Sequence, residues 1–167
     1  MKILLCFLAL SLASCGGYKL GGQRPSEMTG VSALSIPMAK NETLVPRAAP
    51  LATNSLIDAI TRDGSYAVRD IENAQAILKL SLDRVDYRQN RSRRSDTLRP
   101  EELETRVRLR YQIVSLTEPG KVLLSGNATG TSRFFADEDL QKSRDNALPD
   151  ALRRAALTVV SQIADGV

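Results

Sequence analysis

LETRVRLRYQI, residues 103–113, is the most regular pattern in the chain, and the neighbouring segments can be interpreted from it. Apolar side chains, with one threonine, stand at the odd positions from Leu103 to Ile113, and charged or amide side chains stand at the even positions from Glu104 to Gln112. Successive side chains of a β-strand point to opposite faces of the sheet. The pattern therefore predicts a strand with one buried and one wet face, in an antiparallel sheet covered on one side.

The segment before this strand is predicted to be its long partner. Between Ala74 and Tyr87, leucines at every second position up to Leu82 alternate with polar residues, after which the apolar parity shifts to Val85. Such a shift indicates a β-bulge or a strong twist near Arg84.

The segment after it is predicted to pair back through a tight turn. Glu118–Lys121 reads EPGK, and proline followed by glycine at the two central positions suits a type II turn. From Val122 to Phe135 the even positions share one face of a strand. The side chains at the centre of that face are small, at Gly126, Ala128 and Gly130, which predicts a helix packed close against it.

Two helices complete the pattern. Apolar residues at helical spacing predict the first over Ala49–Arg62, closed by Gly64 as its C-terminal cap. The second is predicted to begin at Asp137, with Pro149 either kinking it or starting its second half. Its buried stripe is predicted to comprise Leu140, Ala147, Leu148, Ala151, Ala155, Val159 and Ile163.

The order of these elements predicts the fold class. Short strands are expected within Val31–Ile36 and Ser65–Arg69, separated by a loop at 37–45 and the first helix. We therefore expect an α+β two-layer sandwich, with a mostly antiparallel or mixed four-stranded sheet and two helices packed on one face.

The N-terminus has the pattern of a secretion signal. The apolar run Ile3–Ala13 has the length of a signal-peptide core, whereas a membrane-spanning helix needs about 20 apolar residues. The run ends in Leu12–Cys15, LASC, which resembles a bacterial lipobox. That resemblance implies cleavage after residue 14, a diacylglycerol on the Cys15 thiol, and an acylated new N-terminus, with palmitate as an expected chain. Several acyl chains on one residue give stable anchoring.

An ordinary cleaved signal with a chance cysteine is the alternative interpretation of this segment. The domain division expected on the lipoprotein interpretation is a signal peptide at 1–14, a lipidated tether at 15–30, and a single α+β periplasmic domain at 31–167. Because Gly16 is not aspartate, which tends to retain such proteins in the inner membrane, we expect a lipid anchor on the periplasmic side of the outer membrane.

Composition argues for binding or assembly rather than catalysis. The chain has no histidine, and after cleavage Cys15 is its only cysteine, which excludes histidine-based triads, cysteine nucleophiles and the usual zinc sites. Asp83 and Asp86 lie three positions apart on a strand, so they are expected on opposite faces rather than as paired carboxylates. We expect no enzyme activity, no catalytic residues, no cofactor and no metal. Tryptophan is absent and aromatic residues are few, so nucleic acid is not an expected partner.

A resemblance to one family rests on three features. CGGYKL, residues 15–20, resembles the C-G-Y-x-L start of the LPS-assembly lipoproteins of the LptE type. The order of elements and the C-terminal helix DALRRAALTVVSQIAD, residues 150–165, are also similar to that family. One extra glycine after Cys15 departs from the pattern. The resemblance implies an outer-membrane lipoprotein that plugs the LPS translocon β-barrel, helps to assemble it, and binds LPS.

A basic row is predicted on the wet face of the sheet. Its members are Arg106, Arg108 and Arg110, about 7 Å apart along one strand, joined from neighbouring strands by Lys79 and Arg133, with Arg84 as a further candidate. Guanidinium groups bind phosphate in a bidentate manner, so the row suits the phosphates of lipid A. Only Glu104 and Asp83 are expected as opposing charges. Contact with a barrel wall, or with solvent alone, remains open for this face.

A second function remains open as well. Small α+β lipoproteins of similar size regulate peptidoglycan synthases or serve secretion complexes, but the tether here is short, at most about 50 Å when extended. That length favours work close to the membrane. The basic loop at 88–99 is either a partner-binding tip or a solvated hairpin.

Overall fold

The computed structural model describes residues 24–91, 102–135 and 140–166. The predicted signal peptide, Cys15 with most of the predicted tether, and residues 92–99 of the predicted basic loop lie outside these residues. The elements are β1 (Ala33–Ser35), β2 (Lys40–Asn41), α1 (Ala48–Asp63), β3 (Ala67–Val68), β4 (Ala76–Arg91), β5 (Glu102–Ser115), β6 (Val122–Phe135) and α2 (Leu140–Asp165), with 3-10 turns at Ser26–Met28 and Ile71–Asn73.

One mixed sheet organises these elements. Its order is β3-β1-β4-β5-β6, with β2 also paired to β4. The pairs β1–β3, β1–β4 and β2–β4 are parallel, and β4–β5 and β5–β6 are antiparallel. Both helices pack on one face, which confirms the predicted α+β class. The predicted strand number, four, is too low because the described residues form six strands. β2, inside the expected loop, is only two residues long, and no alternation can be recognised over that length.

The buried face of β5 is the one that the sequence pattern predicts. Val107, Leu109 and Ile113 are completely buried, and Thr105 and Tyr111 lie among them. This row packs beneath α2, whose own buried side chains include every predicted position except Leu140, whose side chain is not among those described. Gly166 follows the helix with a φ of 72°.

The predicted bulge is confirmed, and it changes which face two acids occupy. The register of β4 against β5 shifts between Leu82 and Arg84, which leaves Asp83 as the additional residue. Beyond the shift, Asp86 lies opposite Arg106, on the same face as Asp83. The expectation that these two aspartates point to opposite faces is therefore wrong, because a bulge reverses the simple parity rule.

The small residues of β6 allow α2 to approach as predicted. A Cβ on Gly130 would lie 2.0 Å from the carbonyl oxygen of Ala151 and 2.5 Å from the amide nitrogen of Ala155. Glycine is thus required at position 130 for space rather than for backbone conformation. Val122 is an exception to the predicted parity, since a register shift places it opposite Val114, where it is exposed.

The cap of α1 and the tight turn between β5 and β6 lie where the sequence predicts them. Gly64 ends α1 in the left-handed conformation at φ 78°, and its amide donates to the carbonyl of Ile60. Gly120 has a φ of 83°, and the Lys121 amide donates to the Glu118 carbonyl at 3.1 Å, as a type II turn requires. Among the described residues, no helix is both long and apolar enough to cross a bilayer.

Candidate binding face

The sheet surface opposite the helices, here called the open face, carries the predicted site residues. It is formed by the outward side chains of β4, β5 and β6. Its members are Lys79, Ser81, Asp83, Arg84, Asp86, Arg88, Glu104, Arg106, Arg108, Arg110, Gln112, Ser125, Asn127, Thr129, Thr131 and Arg133. All five residues of the predicted basic row therefore lie on one surface, as the alternation of the sequence requires.

Arg110 is held by acids at one end of the open face. Its Nε and Nη2 donate to the two carboxylate oxygens of Asp83 at 3.1 and 2.7 Å, and Nη2 also lies 3.5 Å from Glu42. The hydrogen bond and the charge of Asp83 raise the pKa of the Arg110 guanidinium above its ordinary value. This bidentate geometry fixes Arg110 in an internal ion pair.

A second set of ion pairs occupies the other end. Arg106 Nη2 donates to Glu104 Oε1 at 3.0 Å, and Arg133 Nε lies 3.8 Å from Glu104 Oε2 and 3.9 Å from Glu102 Oε1. Glu104 is 8% exposed, so its carboxylate is compensated by two guanidinium groups. The Nε atom of Arg106 is buried without a hydrogen-bond partner among the described residues.

The open face is therefore more mixed in charge than the sequence suggested. Glu42 and Glu102 act as ion-pair partners in addition to the expected Glu104 and Asp83. The expectation of only two opposing acids is wrong, because Glu42 reaches the face from the chain following β2, where Glu42 N donates to Leu82 O. Parallel pairing of so short a strand leaves no local sequence signal.

Four cations of the open face remain exposed and have no ion pair within the described parts of the chain: Lys79, Arg84, Arg88 and Arg108. Arg84 and Arg108 are directly opposite each other in the β4–β5 register. The bulge gives Arg84 this position, so the parity shift visible in the sequence already indicated it. Lys79 lines a groove with Met38, Lys40 and Gln112.

No group of three potential metal-ligating His, Cys, Asp or Glu residues occurs within residues 24–91, 102–135 and 140–166. The exposed hydrogen-bond donors of the open face are guanidinium, ammonium, hydroxyl and amide groups. These groups recognise anions and polar surfaces.

Solved structures share this architecture. PelC from Paraburkholderia phytofirmans, a dodecamer, is 16% identical with a TM-score of 0.53, covering 86% of this chain and 94% of that one. A minor lipoprotein from Acinetobacter baumannii is 13% identical with a TM-score of 0.52, covering 79% and 90%. A protein from Xanthomonas campestris is 13% identical with a TM-score of 0.55, covering 86% of each chain. At such identities the likeness defines a class of fold, the two-layer α+β sandwich found also in a bacterial lipoprotein.

The chain belongs to the LptE family, described as lipopolysaccharide-assembly, which matches residues 31–165. This confirms the family resemblance noted in the sequence and identifies a lipopolysaccharide-assembly lipoprotein of a non-enzymatic family. The match begins after the CGGYKL segment, so it rests on the folded body rather than on the opening motif. A search of curated proteins found no matching relative.

Proposed function

We propose that this protein is an outer-membrane lipoprotein, acylated at Cys15, that partners the LPS translocon β-barrel. In this proposal it helps the barrel to assemble, plugs its lumen and contacts LPS through the open face. The observation that carries the proposal is the family match across residues 31–165, which includes every strand and both helices.

The lipid anchor and the position of the folded body support this location. Even fully extended, the chain between Cys15 and Arg24 spans at most about 30 Å. Arg24 is fixed to the body, since its guanidinium donates to the carbonyl of Ser65 at 2.8 Å and stacks over the ring of Tyr66. A body anchored this tightly works beside the membrane that holds its lipid.

The open face supports contact with a charged envelope component. Lys79, Arg84, Arg88 and Arg108 have no ion pair among the described residues, and Gln112 and Thr129 lie opposite Lys79 and Arg108. Among the predicted anion-binding residues, Arg106, Arg110 and Arg133 are already engaged by carboxylates. We therefore assign LPS contact chiefly to the unpaired cations, with the engaged arginines organising the surface around them.

Co-purification tests the partner. The full-length, affinity-tagged protein should be expressed in its own cells, extracted in mild detergent and analysed for stoichiometry. Recovery of a large β-barrel protein at one to one is the expected result. A Cys15→Ala variant should lose the acyl mass and much of the membrane fraction. Recovery of a peptidoglycan synthase or a secretion complex without a barrel would favour the regulator hypothesis and refute ours.

A further inference from the structure

The strongest charge anomaly on the open face is one cross-strand triplet, Arg84, Arg108 and Thr129. Arg84 of β4, Arg108 of β5 and Thr129 of β6 are aligned directly across the three strands. All three are exposed. Opposed residues in antiparallel strands have Cβ atoms about 5 Å apart, and like charges at that spacing are unfavourable.

The neighbouring triplets show how the sheet normally balances its charge. On one side, Arg110 is held by Asp83, and on the other, Asp86 lies opposite Arg106. Each of these neighbours thus combines a cation with an acid.

The cross-strand triplet has two cations and no acid, and none of the nearby carboxylates pairs with either arginine. Asp83 uses both oxygens on Arg110, and Glu104 is shared by Arg106 and Arg133. Asp86 lies opposite Arg106 and makes no ion pair with Arg84 or Arg108. Within the described residues, no carboxylate therefore bridges the Arg84 and Arg108 guanidinium groups.

We infer that the cross-strand triplet is a phosphate subsite, in which one phosphate group bridges the guanidinium groups of Arg84 and Arg108 and accepts a hydrogen bond from the Thr129 hydroxyl. Each planar guanidinium group offers paired N–H donors to adjacent phosphate oxygens, and a charge-assisted hydrogen bond is stronger than a neutral one. A phosphate there also removes the repulsion between the opposed arginines. This inference rests on the proposed function for the source of the phosphate, a lipid headgroup, although free inorganic phosphate has the same chemistry.

The experiment compares three forms of the full chain. Arg84→Gln with Arg108→Gln removes the site, and Arg62→Gln with Arg69→Gln is a control with the same loss of charge at exposed positions off the open face. Far-UV circular dichroism establishes that each form is folded. Thermal melting is followed in low-salt buffer with sodium phosphate or with sodium chloride at equal ionic strength. Binding is measured to lipid A micelles and to lipid A from which both phosphates have been removed.

We expect phosphate to raise the melting temperature of the wild type and the control, but not of the site variant. Without phosphate, the site variant should melt at or above the wild-type temperature, because the repulsion has been removed. Its affinity for lipid A should fall about tenfold, whereas binding of dephosphorylated lipid A should be equally weak in all three forms. Stabilisation by inorganic phosphate without any response to lipid A phosphate supports the subsite and assigns free phosphate as its ligand.

The inference is overturned if the site variant responds to phosphate as the wild type does, or if the control loses as much affinity as the site variant. Barrel co-purification by the site variant separates this result from the proposed function. If the wild type recovers the barrel but its melting temperature does not respond to phosphate, the subsite alone is refuted. Absence of a barrel with the wild type refutes the proposed function, whatever the triplet binds.

Discussion

Replacing Gly130 by alanine tests how the helix layer is seated on the sheet. The new Cβ would lie 2.0 Å from the carbonyl oxygen of Ala151 and 2.5 Å from the amide nitrogen of Ala155. Both obstacles are backbone atoms of α2, so no side-chain rotation relieves them. A carbon–oxygen contact needs about 3.3 Å, and α2 must therefore retreat from β6 by roughly 1 Å.

The loss in free energy of unfolding caused by this movement follows from typical magnitudes. A gap of about 0.5–1 Å forfeits a quarter to a half of the dispersion energy of the separated atoms, and overpacked cores typically lose about 1–3 kcal/mol, sometimes more. The reduced freedom of the unfolded chain returns about 0.4–1 kcal/mol. Because both clashes are with backbone, we expect a net loss near the upper end, about 2.5 kcal/mol, which corresponds to a fall of roughly 8 °C in melting temperature.

Urea unfolding followed by circular dichroism measures this loss, with two controls. In Gly126→Ala the obstacle is the hydroxyl end of Tyr111 at 2.7 Å, a side chain that can shift, so the loss should be nearer 1 kcal/mol. Thr129→Ala lies on the open face and should change stability by less than about 0.5 kcal/mol. A Gly130→Ala protein as stable as the Thr129→Ala protein would refute the close seating of α2.

Two further predictions concern polar groups in the helix layer. Burial acts to raise the pKa of Asp150, but hydrogen bonds from Arg154, Arg153 and Ser132 outweigh it and leave the pKa below its ordinary value. These hydrogen bonds therefore stabilise the folded protein above about pH 4, and the stabilisation is lost as pH falls through the folded-state pKa. Asp150→Asn should therefore unfold at lower urea than the wild type at pH 7, with the difference shrinking as pH falls below about 4; a difference unchanged by pH would contradict this. Tyr66→Phe should cost about 1–2 kcal/mol in urea unfolding, because the buried Tyr66 hydroxyl donates to a carbonyl in the last turns of α2 at 2.7 Å; an unchanged midpoint would show that this bond contributes nothing.

The fold could be predicted from the sequence wherever a period was long enough to recognise. The alternation of β5 determined the buried and open faces, and the parity shift near Arg84 located the bulge. Gly130 and its small neighbours indicated a closely packed helix. β2 and its two-residue pairing escaped recognition because they depend on a long-range partner in β4 rather than on any local pattern.

The charge balance of the open face was harder to predict than its composition. Alternation places Arg106, Arg108 and Arg110 on one face, but it does not reveal which of them find an acid. The partners of Arg110 come from the bulge residue Asp83 and from Glu42, which is distant in sequence. The distinction between paired and unpaired cations therefore required the three-dimensional register.

The same register changes the choice of variants for lipid-binding studies. Charge reversal of Arg106 would leave its partner Glu104 beside a second acid, so a loss of binding could reflect a disturbed surface. Arg108 has no acid partner in the described part of the chain, so reversal there breaks no ion pair within it. Arg108→Glu is accordingly the more informative single change.

Site-specific photo-crosslinking in living cells tests the central claim, that the open face contacts LPS, most directly. A photoreactive amino acid at Thr129 samples the open face, and one at Leu157, which is 47% exposed on α2, samples the helix layer as a matched control. We predict an LPS adduct from position 129 that is absent or several-fold weaker from position 157. Adducts from position 157 without any from position 129 would contradict the claim.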